Sequence, residues 1–233
     1  MRTITLSAPG KNALSSELMA WLVEQLAQAG GEPLFITAAG DAFCAGLNLK
    51  EVVTLSPSGM ERFLDALERM VDALYGYPGP TVAYVNGHAI AGGCIVALAC
   101  DLRLGLAGDT ARIGLNEVPL GLKFPPKTWR MVKHRLSPPA LERVVLEGGL
   151  YPPAQALRLG LLDEVVASEG EARSMAERFA ASPRDAYLAA KRALRGGALD
   201  VTEGERRQYL DEVLPTWTSG DLKSRIEARL RKA

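Results

Sequence analysis

The hydrophobic positions follow two alternating rhythms through the first half of the chain. Arg2–Leu6 alternates polar and apolar residues as a short strand does, and Ala8–Asn12 supplies a turn. Leu18, Trp21, Leu22 and Leu26 recur at helical spacing, with Ser15 or Ser16 placed to cap that helix. Leu34–Thr37 predicts a buried strand, Ala38–Gly46 a loop of small residues, and the stretch from about Arg62 to Leu74 a second helix, stopped by Pro78-Gly79-Pro80. Thr81–Val85 predicts another strand and Asn86-Gly87 a turn. Gly92-Gly93 then opens a third helix through Ile95, Val96 and Leu98, and Leu102–Leu106 returns to strand. Strands and helices in this alternation predict an α/β chain of parallel βαβ units, with functional loops at the carboxyl ends of the strands.

Beyond about Pro125 the pattern becomes helical. Ser137-Pro138-Pro139, Pro152-Pro153 and Ser182-Pro183 mark helix starts or breaks, and Leu161–Val166 is the one short strand expected there. No repeat, low-complexity tract or Ser/Gly/Pro-rich linker divides the chain, which favours a core over residues 1–175 with a helical region over 176–233.

Composition narrows the classes. With 233 residues, 48% of them hydrophobic, the chain can bury a sizeable core, which excludes a disordered or fibrous protein. Lys and Arg number 27 against 27 for Asp and Glu, so there is no basic excess to make nucleic acid a partner. Three cysteines, Cys44, Cys94 and Cys100, are an odd count in a chain too large to need stapling; reduced thiols and a cytoplasmic location are expected. Met1–Leu6 meets Ala8-Pro9-Gly10 before an apolar run of signal length develops. The longest apolar run, Ala89–Cys100, is broken by Gly92-Gly93 and falls short of the ~20 residues a membrane span needs, so no membrane partner is expected.

Three segments carry candidate chemistry. Phe43–Glu51 places small residues before a helix start, where backbone N–H groups can face an anion or a polarised carbonyl, or where a tight turn simply needs small residues. Asn86–Cys94 has the same form after a strand, so one N–H from each loop can hold a carbonyl oxygen between them, each donor being worth roughly 3–4 kcal/mol in a transition state. Ile113–Gly121 sets Glu117 among apolar residues ahead of a proline; burial there would raise its pKa and make it a general base. Asn116 beside it is placed to orient the glutamate, to contact substrate or to serve the turn. His88 reads as a packed or turn residue, and with His134 as the other histidine no metal site is expected.

In order and spacing these segments resemble the enoyl-CoA hydratase/isomerase (crotonase) superfamily. Phe43–Glu51 is similar to its F-x-A-G-x-D-L-x-E segment, Val85–Asp101 to its N-G-x-x-x-G-G-G-C helix segment, and Ser219–Lys232 to its C-terminal helix. The resemblance implies a spiral of ββα turns with a helical C-terminal region that packs on neighbouring subunits, giving a homotrimer or a dimer of trimers. It implies an acyl-coenzyme A thioester as ligand, coenzyme A being part of the substrate and no separate cofactor being needed. The N–H groups of Leu47 and Gly92 match the oxyanion-hole positions, and Glu117 the catalytic base. Ala45, Gly46, Asn48 and Leu49 match the coenzyme-binding segment, while Lys11 and Lys232 match lysines that reach the coenzyme.

The same resemblance discriminates among reactions. Hydratases of the family activate water with two glutamates, and the one on the glycine-rich helix is Ile95 here, which neither orients nor deprotonates water. Ala91–Asp101 and Gly114–Gly121 look more like the Δ3,Δ2-enoyl-CoA isomerases, which carry a single acidic residue. The expectation is therefore a one-base isomerase moving a double bond from C3 to C2. The alternatives are a hydratase or acyl-CoA decarboxylase that draws a second polar group from Glu61, Asp65 or Glu68, and a non-catalytic acyl-CoA-binding subunit. Asn48 stands where the family usually has Asp, the frequent Phe near Arg229 is missing, and Phe124 and Trp129 are candidates for the acyl pocket or for core.

Overall fold

The computed structural model describes residues 1–231. An apolar five-residue run buries on both faces only when helices cover both sides of its sheet, and that is the arrangement found. β1 (Arg2–Leu6), a kinked turn α1 (Pro9–Asn12) and α2 (Ser16–Ala29) lead into β2 (Leu34–Ala38) and β3 (Ala42–Cys44), followed by α3 (Leu49–Val52) and α4 (Pro57–Tyr75). The next turn of chain repeats the order with β4 (Thr81–Val85), β5 (His88–Ile90) and α5 (Gly92–Ala99). A third turn has β6 (Leu102–Leu106), β7 (Ile113–Gly114) and the helices α6 (Glu117–Leu120), α7 (Pro126–Arg135), α8 (Pro138–Glu147) and α9 (Pro153–Arg158).

Each turn thus gives one strand to a large sheet and one to a small sheet. With β8 (Glu164–Val166), the large sheet has the order β1-β2-β4-β6-β8; the small one is β3-β5-β7, and every pairing within them is parallel. This is a ββα spiral, as the resemblance implied. Its consequence for function is that the chain leaves β3, β5 and β7 side by side, so the three segments after them are neighbours in space although some 70 residues separate Ala45 from Asn116.

The sequence expectations hold for the longer elements, and the differences have local causes. α4 begins at Pro57, earlier than about Arg62, because Ser56 accepts a hydrogen bond from the Gly59 N–H at 3.1 Å and proline suits the first helical turn. Ser15, not Ser16, caps α2 by accepting from the Leu18 N–H. The loop expected over Ala38–Gly46 contains β3, and β8 occupies only the last part of Leu161–Val166, Leu161 and Leu162 being buried in the core instead.

The C-terminal region adds α10 (Glu169–Phe179), α11 (Arg184–Arg195), α12 (Glu203–Gln208), a π turn over Tyr209–Val213, a 3₁₀ turn over Leu214–Thr218 and α13 (Gly220–Leu230). A buried charge network ties α11 to the sheets: Asp101 accepts from Lys191 Nζ and Arg195 Nη2 at 2.8 Å each, from the Tyr187 hydroxyl at 2.7 Å and from the Thr81 N–H at 2.8 Å. Removing one member of such a network strands a buried charge, so it fixes position more than it adds net stability. Trp217, Leu222 and Ile226 join the apolar cluster that begins at Ile4.

Candidate active site

The three candidate segments border one cleft. Ala45, Leu47 and Leu49 come from the first, Ala91 and Gly92 from the second with Ile95 just after it, and Asn116 and Glu117 from the third. Glycine makes the approach of the first two possible. Gly46 has φ +94°, and a Cβ on it would stand 2.8 Å from the Ile90 carbonyl oxygen and 3.6 Å from the Gly92 nitrogen. A Cβ on Gly93 would run into the Cys44 carbonyl, so the α5 backbone lies directly against β3.

Both expected donors are free. Leu14 bridges to Leu47 by donating its N–H to the Gly46 carbonyl at 2.7 Å and accepting from the Asn48 N–H at 2.9 Å. Both partners flank Leu47, whose own N–H therefore points the other way, as alternate groups along a strand do. Gly92 is the first residue of α5, where an N–H has no intrahelical acceptor. Ala91 directs it: φ +49° and ψ −116° are strained for a residue with a Cβ, and that backbone turns the chain from β5 into the helix. Among the described residues, neither N–H donates to a protein acceptor.

Glu117 opens α6, a four-residue turn closed by Gly121, whose N–H donates to the Val118 carbonyl at 2.9 Å. Only 5% of Glu117 is exposed, and its Oε2 is buried with no hydrogen-bond partner. Burial pushes its carboxyl up to about 8. Asn116, 8% exposed, likewise has a buried Oδ1 without a partner. Ile95 stands on the same cleft, 3% exposed and apolar. Cys94 lies behind, its thiol pushed up first by burial and then by the charge of Glu117, so it is an inert packing group.

Other sequence candidates sit elsewhere. Lys11 pairs with Asp41 at 2.8 Å on an exposed edge outside the cleft lining, although its carbonyl accepts the Ala45 N–H at 3.0 Å, which keeps it beside the first loop. Gly46 shapes the wall without lining it, and Asn48 turns its side chain to cap α3 through the Glu51 N–H at 3.3 Å. Lys232 lies outside the described residues. Glu61, Asp65 and Glu68 do not line the cleft; Glu68 instead accepts the Thr128 N–H at 3.0 Å, capping α7. His88 is in β5, its Nδ1 accepting the Arg112 N–H. Phe124 lines the cleft, whereas Trp129 packs behind it with ring centroids 5.6 Å apart.

Sequence reasoning missed Leu67, Thr128 and Trp217 as lining residues, and Lys123 and Arg229 at the rim. Leu67 had a legible signal, lying on the apolar stripe of α4. Trp217 had none, since it lies in a 3₁₀ turn that directly follows a π turn, and both break helical periodicity.

Comparison with known proteins places this geometry. A family model described as enoyl-CoA hydratase/isomerase matches residues 1–222. Mitochondrial enoyl-CoA delta isomerase 1 of Homo sapiens is 34% identical over 166 residues, covering 69% of this chain and 55% of that protein's length. Mitochondrial enoyl-CoA hydratase domain-containing protein 2 of Mus musculus is 31% identical over 199 residues, 83% of this chain and 67% of the other. The crystal structure of human mitochondrial Δ3-Δ2-enoyl-CoA isomerase superposes with a TM-score of 0.91 at 27% identity, over 99% of this chain and 92% of that one. The spiral of three ββα turns, the paired free N–H groups and the match across residues 1–222 agree, and the chain belongs to the enoyl-CoA hydratase/isomerase family.

Proposed function

We propose that the protein is a Δ3,Δ2-enoyl-CoA isomerase that works with one base. The observation that carries this reading is the asymmetry of the cleft: one buried carboxyl with an unpartnered oxygen, Glu117, and an isoleucine, Ile95, where water addition would call for a second acid. Glu117 takes a proton from C2 of a 3-enoyl-CoA. The electron pair moves into the thioester, giving a dienolate whose oxygen accepts hydrogen bonds from the Leu47 and Gly92 N–H groups. The same carboxyl then returns the proton to C4 as the double bond settles between C2 and C3. Burial suits the residue to both roles, because a carboxyl with a pKa near 8 both takes and releases a proton close to neutrality.

The ligand is an acyl-CoA thioester, its pantetheine end running along Ala45–Leu49 toward the rim cations Lys123 and Arg229, with Lys11 near enough to trade Asp41 for a coenzyme phosphate. Asn116 offers a buried amide beside the base, to orient it or to meet the thioester. The active form is a homotrimer or a dimer of trimers, built through the helical region after residue 175. The free, buried Cys44, Cys94 and Cys100 suit a reducing compartment, and we assign the protein to the cytoplasm. No helix among the described residues is long and apolar enough to cross a membrane.

The test is incubation with trans-3-hexenoyl-CoA, following 2-enoyl thioester absorbance and product mass. Conversion at unchanged mass is expected, and Glu117→Gln should lose about 10²–10⁴ of the rate, the usual worth of a general base. No conversion, or a Gln variant as active as the wild type, overturns the reading.

A further inference from the structure

The residues that line the cleft divide into an exposed set and a buried set. Half-exposed Leu47 and Leu49 and exposed Lys123 and Arg229 belong to the first, whereas Leu67, Leu122, Thr128 and Trp217 are each 5% exposed or less. Trp217 is the one buried aromatic ring of the lining, Phe124 being half-buried. It is held from two directions. Its indole Nε1–H donates to the Lys123 carbonyl at 3.2 Å, fastening the 3₁₀ turn to the segment before α7. On the other side, Ser219 donates to the Thr216 carbonyl at 2.9 Å and caps α13 through the Leu222 N–H, so the backbone after the ring cannot swing away freely. The 3₁₀ turn also packs on α4, the helix that supplies Leu67. A large ring with its only donor satisfied, pinned by two elements, is a rigid wall.

We propose that Trp217 is the end wall of the acyl pocket and sets the longest acyl chain the protein accepts, making it selective for short unbranched thioesters. The proposal rests on the reading of the cleft as an acyl-CoA site. A chain that reaches the wall must leave its remaining methylenes in water or displace core residues, and each methylene denied apolar cover forfeits a factor of about four in binding. Nothing polar on the wall would reward a carboxylated tail, for the Thr128 backbone and hydroxyl are both engaged with Glu68.

The experiment compares kcat/KM for trans-3-hexenoyl-CoA and trans-3-dodecenoyl-CoA. The wild type should favour the shorter substrate. Trp217→Leu, which opens room for two methylenes or so, should raise the dodecenoyl-to-hexenoyl ratio by about tenfold. Trp217→Phe should lie near the wild type, and Leu67→Phe, which fills the pocket from the facing helix, should move the ratio the opposite way. A variant that only loosens the fold lowers both rates together; an unmoved ratio in Trp217→Leu, or a wild type that prefers dodecenoyl-CoA, overturns the proposal. If neither substrate is turned over, the isomerase reading falls, and the wall is tested by calorimetric binding of hexanoyl-CoA and dodecanoyl-CoA. An affinity ratio that shifts with Trp217 upholds the wall on its own, and one that does not removes it.

Discussion

Ile95 and Glu117 face one cleft from successive turns of the spiral, at 3% and 5% exposure. Their surroundings are alike, but their consequences are opposite. Ile95 sits on a helix whose every residue is buried, and burial there adds only packing. The same burial at Glu117 raises the carboxyl to about 8 and leaves Oε2 without a partner, a costly state in a folded chain unless a reacting proton gives it purpose. The spiral supplies two equally dry positions on one cleft, and side-chain chemistry decides that only the Glu117 position carries a group able to exchange a proton.

Apart from replacing Glu117 itself, the largest effect on this pair comes from a residue outside it. Gly46→Ala places a Cβ 2.8 Å from the Ile90 carbonyl on a backbone with φ +94°, so the Leu47 N–H must move relative to Gly92. Loss of one oxyanion donor is expected to lower kcat by about 10²–10³ with a smaller change in KM, measured by steady-state kinetics on trans-3-hexenoyl-CoA. An intact kcat would mean that the two N–H groups are not the oxyanion donors.

Ile95→Glu removes the asymmetry itself. Two carboxyls on one dry cleft disfavour ionisation of both, so the basic form of Glu117 should appear at higher pH and isomerisation near pH 8 should fall by about tenfold, the worth of a one-unit shift. The new carboxyl also provides the second acid for holding water, and a product 18 mass units heavier should appear with trans-2-hexenoyl-CoA. Thermal unfolding should show a loss of about 1–3 kcal/mol for burying an unpaired polar group.

The gentlest test is pH. Glu117 works as a base only when ionised, so kcat/KM should rise with pH and level off above about 8. Stability runs the other way. A carboxyl raised from 4.5 to about 8 means that the native chain holds a proton the unfolded chain has released across that window, so this group's stabilising contribution is full below about 4.5 and is lost as pH rises through about 8. Glu117→Gln should therefore melt a few degrees above the wild type at pH 9, with the gap closing toward pH 4.5, as read by calorimetry.

Much of this site was legible before folding because its chemistry resides in residue types at fixed offsets. Gly46, Gly92 and Gly93 are needed for backbone approach, and the Ile95–Glu117 contrast is written in the chain itself. Lys11 and Asn48 were less legible because Lys11 pairs with Asp41 and Asn48 caps the Glu51 N–H, and local geometry rather than residue type settles such pairings. The strands β3, β5 and β7 were the hardest to see: two or three residues carry no period, and only pairing with a distant strand makes them strands.

By itself, the sequence determined the alternation of long strands and helices, the small residues that let two loops meet, and the identity of the one acid on the cleft. These follow from short-range rules: periodicity, capping and the steric size of a side chain. Tertiary structure decided that Glu117 is dry enough to act as a base near pH 8, that Leu47 and Gly92 present unspent N–H groups to the same space, and that Trp217 returns from 100 residues downstream of Glu117 to close the pocket. Desolvation and enclosure are properties of many residues converging from distant parts of the chain, so no local stretch of sequence can specify them.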